Sequence, residues 1–170
     1  MRVHVLAAAT LGAALFVAPR AMAIDKTDHA FAMKAANGGT MEVNLGRLVV
    51  EKGQNPDVKA FAQQMVDDHT KVNDELKQLA GQKGLKLPEK TKGKERQEEQ
   101  RLSKLSGGAL DRAYMETMVQ DHQKDAKEFE HASRSLKDPD LKALANKTLP
   151  VLQEHLRRAT EINQKLQRPA

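Results

Sequence analysis

Apolar residues recur along most of this chain at alternating spacings of three and four, the period of a helix buried on one side. Four such stripes can be followed. The first runs Ala35, Gly38, Glu42, Leu45, Val49, and the second Val58, Ala62, Met65, His69, Val72, Leu76, Leu79. The third holds Met115, Met118, His122, Ala126 and Phe129. The fourth holds Leu141, Leu144, Thr148, Leu152, His155, Ala159, Ile162 and Leu166. No segment shows the strict alternation that strands or a barrel require, so the pattern predicts an all-α fold.

Capping residues set the boundaries. The first helix is expected from about Asp28 to Glu51, with a soft spot at Asn37-Gly38-Gly39. Asn55 then caps a second helix with Pro56 at its first position, and Gly81 and Gly84 close it. Asp138-Pro139-Asp140 repeats that grammar between a third helix, from about Leu110 to Leu136, and a fourth reaching about Leu166. Short links at 52–56 and 137–139 imply two antiparallel hairpins. The link between hairpins, about 81–108, is long and charged, and is expected to carry a short helix with Leu102 and Leu105 docked. Two hairpins joined by one long crossover make an antiparallel four-helix bundle of ferritin-like type. At an offset of 83, Asp28 maps to Asp111, Phe31 to Tyr114 and Pro56-Asp57 to Pro139-Asp140, which marks an internal duplication. At an offset of 53, Met65-Val66 and Asp68-His69 match Met118-Val119 and Asp121-His122, which reads as a shared packing or functional pattern.

The N-terminus changes the picture. Arg2 precedes a mostly apolar run from Val3 to Ala18, followed by Ala21-Met22-Ala23. That is the grammar of a signal peptide over residues 1–23, leaving one domain over 24–170. The run is shorter than the roughly 20 apolar residues of a membrane span. Losing Arg2 and Arg20 lowers the formal charge from +5 to +3. The expected location is the periplasm, with peripheral attachment to the outer membrane left open. No transmembrane segment remains after cleavage. Lysines and acids interleave without forming a basic stripe, so no nucleic-acid partner is expected, and no protein partner can be named. With no cysteine, neither a disulfide frame nor a thiolate site is available.

Each stripe carries one ionisable residue near its middle: Glu42, His69, His122 and His155. Antiparallel helices of similar length bring their midpoints to one depth, so these four side chains are expected to share a buried layer. Burying an unpartnered polar group costs roughly 1–3 kcal/mol. The layer must therefore satisfy itself or hold water or an ion. Asp68, Asp121 and Glu154 directly precede the three histidines, where each can orient a ring on a neighbouring helix. Met65 and Met118 stand four residues before His69 and His122, and a thioether there suits a soft ion. Two readings stay open. One is a transition-metal site for iron, copper or zinc, with Glu42, His69, His122 and His155 as ligands and Asp68, Asp121 and Glu154 in support. The other is a non-catalytic structural or stress-related envelope protein whose polar network fixes helix register. A third, a surface amphipathic protein that opens against lipid, lacks the basic, aromatic-rimmed face it needs. Tyr114 is expected in the core with its hydroxyl paired. His131 complements a helix C-terminus. No nucleophilic triad, phosphate loop or zinc-protease motif is present, so neither a hydrolase nor a nucleotide enzyme is expected.

Glu42-Val43 with Leu45-Gly46-Arg47-Leu48, Phe61-Ala62 leading to Met65-Val66-x-Asp68-His69, Asp111-x-x-Tyr114 leading to His122, and Leu149-Pro150 with Glu154-His155-Leu156 together form a specific series. In order and spacing this resembles the bacterial exported family catalogued as domain of unknown function 4142, across about Asp28 to Leu166. The resemblance implies a ferritin-like bundle, often labelled an outer-membrane protein, with no assigned activity. The sequence departs from di-iron bundles, which carry Glu-x-x-His on two helices. Here the corresponding stretches read Met65-x-x-Asp68-His69 and Val151-x-x-Glu154-His155. Ferroxidase or iron-storage chemistry is therefore not transferred.

Export makes a direct prediction. Intact-mass measurement of the envelope-localised protein should show loss of Met1–Ala23 and an N-terminus at Ile24; a stable full-length species as the main form would contradict it.

Overall fold

The computed structural model describes residues 24–168, and the leader reading falls on residues outside that range. The described chain is all-α: α1 (Lys26–Lys52), α2 (Pro56–Gln82), α3 (Gly93–Leu102), α4 (Gly107–Ser135) and α5 (Pro139–Gln167), with no strand among the described residues. Among these residues no helix is long and apolar enough to cross a membrane.

The caps explain the boundaries. Asn55 and Asp138 each accept the next two free backbone N–H groups of their helix, and Pro56 and Pro139 occupy first-turn positions where a missing donor costs nothing. α1 runs unbroken through the expected soft spot at Gly38-Gly39. The glycines serve close approach: a Cβ at Gly39 would strike the Asn73 side chain, and one at Gly46 would lie 2.8 Å from the Ala62 carbonyl oxygen. In the first half of α1 the buried stripe sits one residue away from the expected Ala35 and Gly38, on Phe31, Ala32, Ala36 and Gly39. α4 begins at Gly107, ahead of the expected start at about Leu110, with Gly107 at a φ of 56°.

α1 lies along α2, and α4 along α5, with α2·α5 and α1·α4 closing the bundle. Two apolar clusters fill it. One gathers Val49, Val58, Phe61, Met65, Leu110, Tyr114, Met118 and Ile162, and the other Phe31, Leu76, Phe129, Leu141, Leu144 and Leu152. The link between hairpins is tied down more firmly than a solvated run. Leu102 is fully buried, Thr91 bonds Glu99 at 2.7 Å, and Asn37 and Lys92 exchange hydrogen bonds.

The offset of 83 reappears in the structure as a reciprocal pair of latches. Buried Asp28, at the start of α1, accepts the backbone N–H groups of Lys137 (3.0 Å) and Asp138 (2.9 Å) in the α4–α5 turn. Buried Asp111, at the start of α4, accepts those of Gln54 (3.1 Å) and Asn55 (2.7 Å) in the α1–α2 turn. All three partners of each latch are related by the offset of 83. Each hairpin thus closes the turn of the other.

Charge-assisted hydrogen bonds to buried backbone donors are worth roughly 1.5–3 kcal/mol. Asp28→Ala and Asp111→Ala should each lower unfolding stability in urea by about 2–3 kcal/mol, and the double variant by about the sum, because the two latches share no partner. A loss below about 0.5 kcal/mol would show that water replaces the carboxylate freely.

Candidate metal centre

The polar layer sits between the two apolar clusters. Glu42 on α1, His69 on α2, His122 on α4 and His155 on α5 are all buried, with Glu42, His122 and His155 no more than 1% exposed. The three imidazole rings surround one point, with centroids 5.3–5.6 Å apart. One ring nitrogen from each of the three lies within 4.8 Å of the others.

Partners that can only accept set where the protons lie. His155 Nε2 is 3.2 Å from Asp68 Oδ2, so this nitrogen donates and Nδ1 keeps its lone pair. His122 Nδ1 is 3.0 Å from the Met118 carbonyl oxygen and 3.4 Å from Glu42 Oε1, so it donates and Nε2 keeps the lone pair. His69 Nδ1 meets Glu42 Oε2 at 2.8 Å, and His69 Nε2 has no partner. The Glu42–His69 approach is an ion-pair contact without good N–H alignment, so both Glu42 oxygens lack a well-formed hydrogen bond. His122 Nε2 and His155 Nδ1 then face each other at 3.3 Å with no proton assigned to either. Two nitrogen ligands about 2.0–2.1 Å from a tetrahedral zinc ion lie about 3.3–3.4 Å apart. This inner pair is spaced for a cation, with a His69 ring nitrogen within 4.8 Å of both, and the outer N–H groups of His122 and His155 are held as ligating histidines usually are.

The electrostatics agree. Burial would push Glu42 upward, but His69 and His122, with His155 behind them, hold its carboxyl near 2. Burial lowers His155, helped by His122 and His69, to about 4, and lowers His122 against the pull of Glu42. His69 is raised, because the Glu42 charge overcomes its burial. The layer thus holds two neutral rings and one ring able to carry a proton.

The other expected residues separate. Asp68 reaches His155, its pKa lowered by that contact against partial burial. Asp121 instead pairs with Lys124 beside it on α4, and exposed Glu154 pairs with Arg157. Glu130-His131 repeats the acid–histidine sequence on an exposed face, so that pairing alone marks no site. Met65 and Met118 lie in the apolar cluster, and Met118 meets the layer through its carbonyl oxygen. Tyr114 is buried edge-on to Phe61, but its hydroxyl has no partner, contrary to the expected pairing. Asp125 was not legible as a site residue from the stripes. Burial and the neighbouring Glu42 charge raise its carboxyl to about 8. The signal was present in the duplication, since Asp125 stands at the offset of 83 from Glu42.

These shifts give stability a pH dependence. An unfolded histidine titrates near 6.5, so between about 6.5 and 4 the unfolded chain binds a proton that folded His155 refuses. The His155 contribution to stability therefore falls as pH falls through this window, and His122 acts in the same direction. Glu42, held low, contributes stability that is lost only as pH drops towards 2. His69 has the opposite sign, its contribution being lost as pH rises through its raised value. Asp125, raised from 3.8 to about 8, acts in the opposite direction between those values, so the histidine contribution is read as a difference. From pH 6.5 to 4, chelator-treated wild type should lose stability relative to His155→Gln. An equally steep slope in the variant would exclude His155 as its source.

No curated protein sequence matches the chain. Two solved structures share its fold. A DUF305 fragment from Deinococcus radiodurans superposes with a TM-score of 0.71 at 14% identity, covering 84% of this chain and 98% of that one. A DUF305 protein from Streptomyces coelicolor gives 0.70 at 13% identity, covering 82% and 91%. The family defined as "Domain of unknown function (DUF4142)" matches residues 15–162, nearly the whole length, and the chain therefore belongs to the DUF4142 family.

Proposed function

We propose that this protein is an exported, periplasmic helical bundle that binds one transition metal ion through His69, His122 and His155. The carrying observation is the pair of inner nitrogens, His122 Nε2 and His155 Nδ1, facing each other at 3.3 Å while their outer N–H groups are committed elsewhere. A self-satisfied network, the competing structural reading, would place a proton between them and would give His69 Nε2 a partner. Unpartnered Nε2 favours the metal reading.

In this reading Glu42 touches the outer Nδ1 atoms of His69 and His122 and orients them, while Asp68 and the Met118 carbonyl oxygen orient His155 and His122. Three neutral imidazoles without a thiolate suit zinc or copper, with iron next. The donor set is too poor in carboxylates for a di-iron centre. The hairpin arrangement with α3 in the connection supports a ferritin-like four-helix topology with its crossover over 81–108, and the leader grammar of residues 1–23 supports export.

Protein purified without a histidine tag or chelating column should bind zinc at one equivalent by calorimetry. A ligand held by the folded state alone stabilises by about 2.7 kcal/mol at 100 times Kd. For a domain of this size that is a melting rise of roughly 5–10 °C. His69→Ala and His122→Ala should each lose the increment, and affinity should weaken as pH falls through about 6.5. If neither zinc nor copper raises the melting temperature, the layer is a structural network.

A further inference from the structure

At the edge of the polar layer lies a small cavity with room of about 20 Å³, lined from α1, α2, α4 and α5 and bounded by Glu42 and His69. Its inner wall is Glu42 and His69, its flank is Asp125, and its rim carries the Lys34–Glu128 ion pair. Three carboxylates on this wall face one exposed lysine and one imidazole. Glu42 is 1% exposed, lines the cavity, and has no well-formed hydrogen bond at either oxygen. Asp125 has no ion-pair partner among the described residues. Glu42 is ionised, and Asp125, raised to about 8, keeps its proton near neutrality until a cation displaces it; with the Asn73 and Thr148 side chains beside them, the wall offers oxygen ligands to a cation.

We propose that Glu42 and Asp125 form a second, transient position for a divalent cation, occupied on its way from solvent to the three histidines. The proposal rests on the histidine site described above and adds the route by which that site is loaded. A space of this size admits about one water molecule. A fully hydrated divalent ion does not fit, so the ion must shed water before reaching the imidazoles. Carboxylate oxygens replace lost waters well for hard and borderline ions, and Asp125 and Glu42 supply them on the wall of the cavity that also holds His69. Gly38 and Gly39 keep the α1 side of the cavity free of side chains, and Asn73 lies against it. Lys34 sits at the rim as a positive charge that the incoming ion must pass, held aside by Glu128.

The probe is cobalt(II), whose visible absorption distinguishes a tetrahedral nitrogen site from an aqueous or carboxylate one. Full-length mature protein is mixed with cobalt(II) by stopped flow, and the rate of appearance of the tetrahedral spectrum is followed. Asp125→Asn should slow loading at least about tenfold while leaving the final spectrum and the equilibrium affinity within about threefold of wild type. Lys34→Met should load faster than wild type. Loading of Asp125→Asn at the wild-type rate would overturn the proposal and leave the histidine site standing. Loss of equilibrium binding in Asp125→Asn would overturn it too, by making Asp125 a permanent ligand. Should Asp125→Asn fail to fold, Lys34→Met decides, and an unchanged rate there counts against the route. No tetrahedral spectrum in the wild type would remove the histidine site itself, and the route with it.

Discussion

Three imidazole rings occupy one buried layer in which the outer nitrogen of each lies against an acceptor, in hydrogen bonds for His155 and His122 and in an ion-pair contact for His69. Glu42, Asp68 and the Met118 carbonyl oxygen fix the tautomers, and the tautomers fix where the lone pairs point. The rest of the arrangement depends on that constraint. Low dielectric keeps His122 and His155 neutral, the Glu42 charge keeps His69 protonatable, and the apolar clusters on either side exclude the water that would otherwise relieve the crowding. A bundle that paid so much desolvation without a compensating ligand would be giving away a large part of a net stability of about 5–15 kcal/mol.

Much of this was legible in the chain. Helical period located Glu42, His69, His122 and His155 on inward faces, because one misplaced ionisable residue in an apolar stripe stands out. Caps at Asn55 and Asp138 located the hairpins, because proline at the first helical position has few other uses. What period does not give is rotamer and depth within a layer. Glu42 is on the stripe, yet its carboxylate meets the rings at their outer edges, a fact set by side-chain torsions and not by spacing. Asp121 and Glu154 precede histidines just as Asp68 does, but their i,i+3 partners Lys124 and Arg157 draw them to the surface. At the expected soft spot of Asn37-Gly38-Gly39, α1 runs on without interruption. Asn73 packs where a Gly39 side chain would stand, Gly38 faces open space, and tertiary packing overrides helix propensity.

The two halves are alike in frame and unlike in chemistry. Offset positions share caps, latches and aromatic anchors, whereas the counterparts of His69, His122 and His155 are Leu152, Gly39 and Val72. Only the carboxylate survives on both sides, as Glu42 and Asp125. Symmetry therefore accounts for the stability of the bundle and for the acidic flank, while the imidazoles account for its centre.

The crossed latches at Asp28 and Asp111 carry a historical consequence. A lone hairpin with this design leaves its own turn amides unsatisfied and its own aspartate idle, so it completes itself only against a second copy, with the two related by a two-fold axis. In such a homodimer every substitution appears twice, and a histidine placed opposite a glycine is unattainable. Fusion of the two copies into one chain releases each half to vary alone. An asymmetric cluster of three rings at the shared axis is something that only the fused chain can hold.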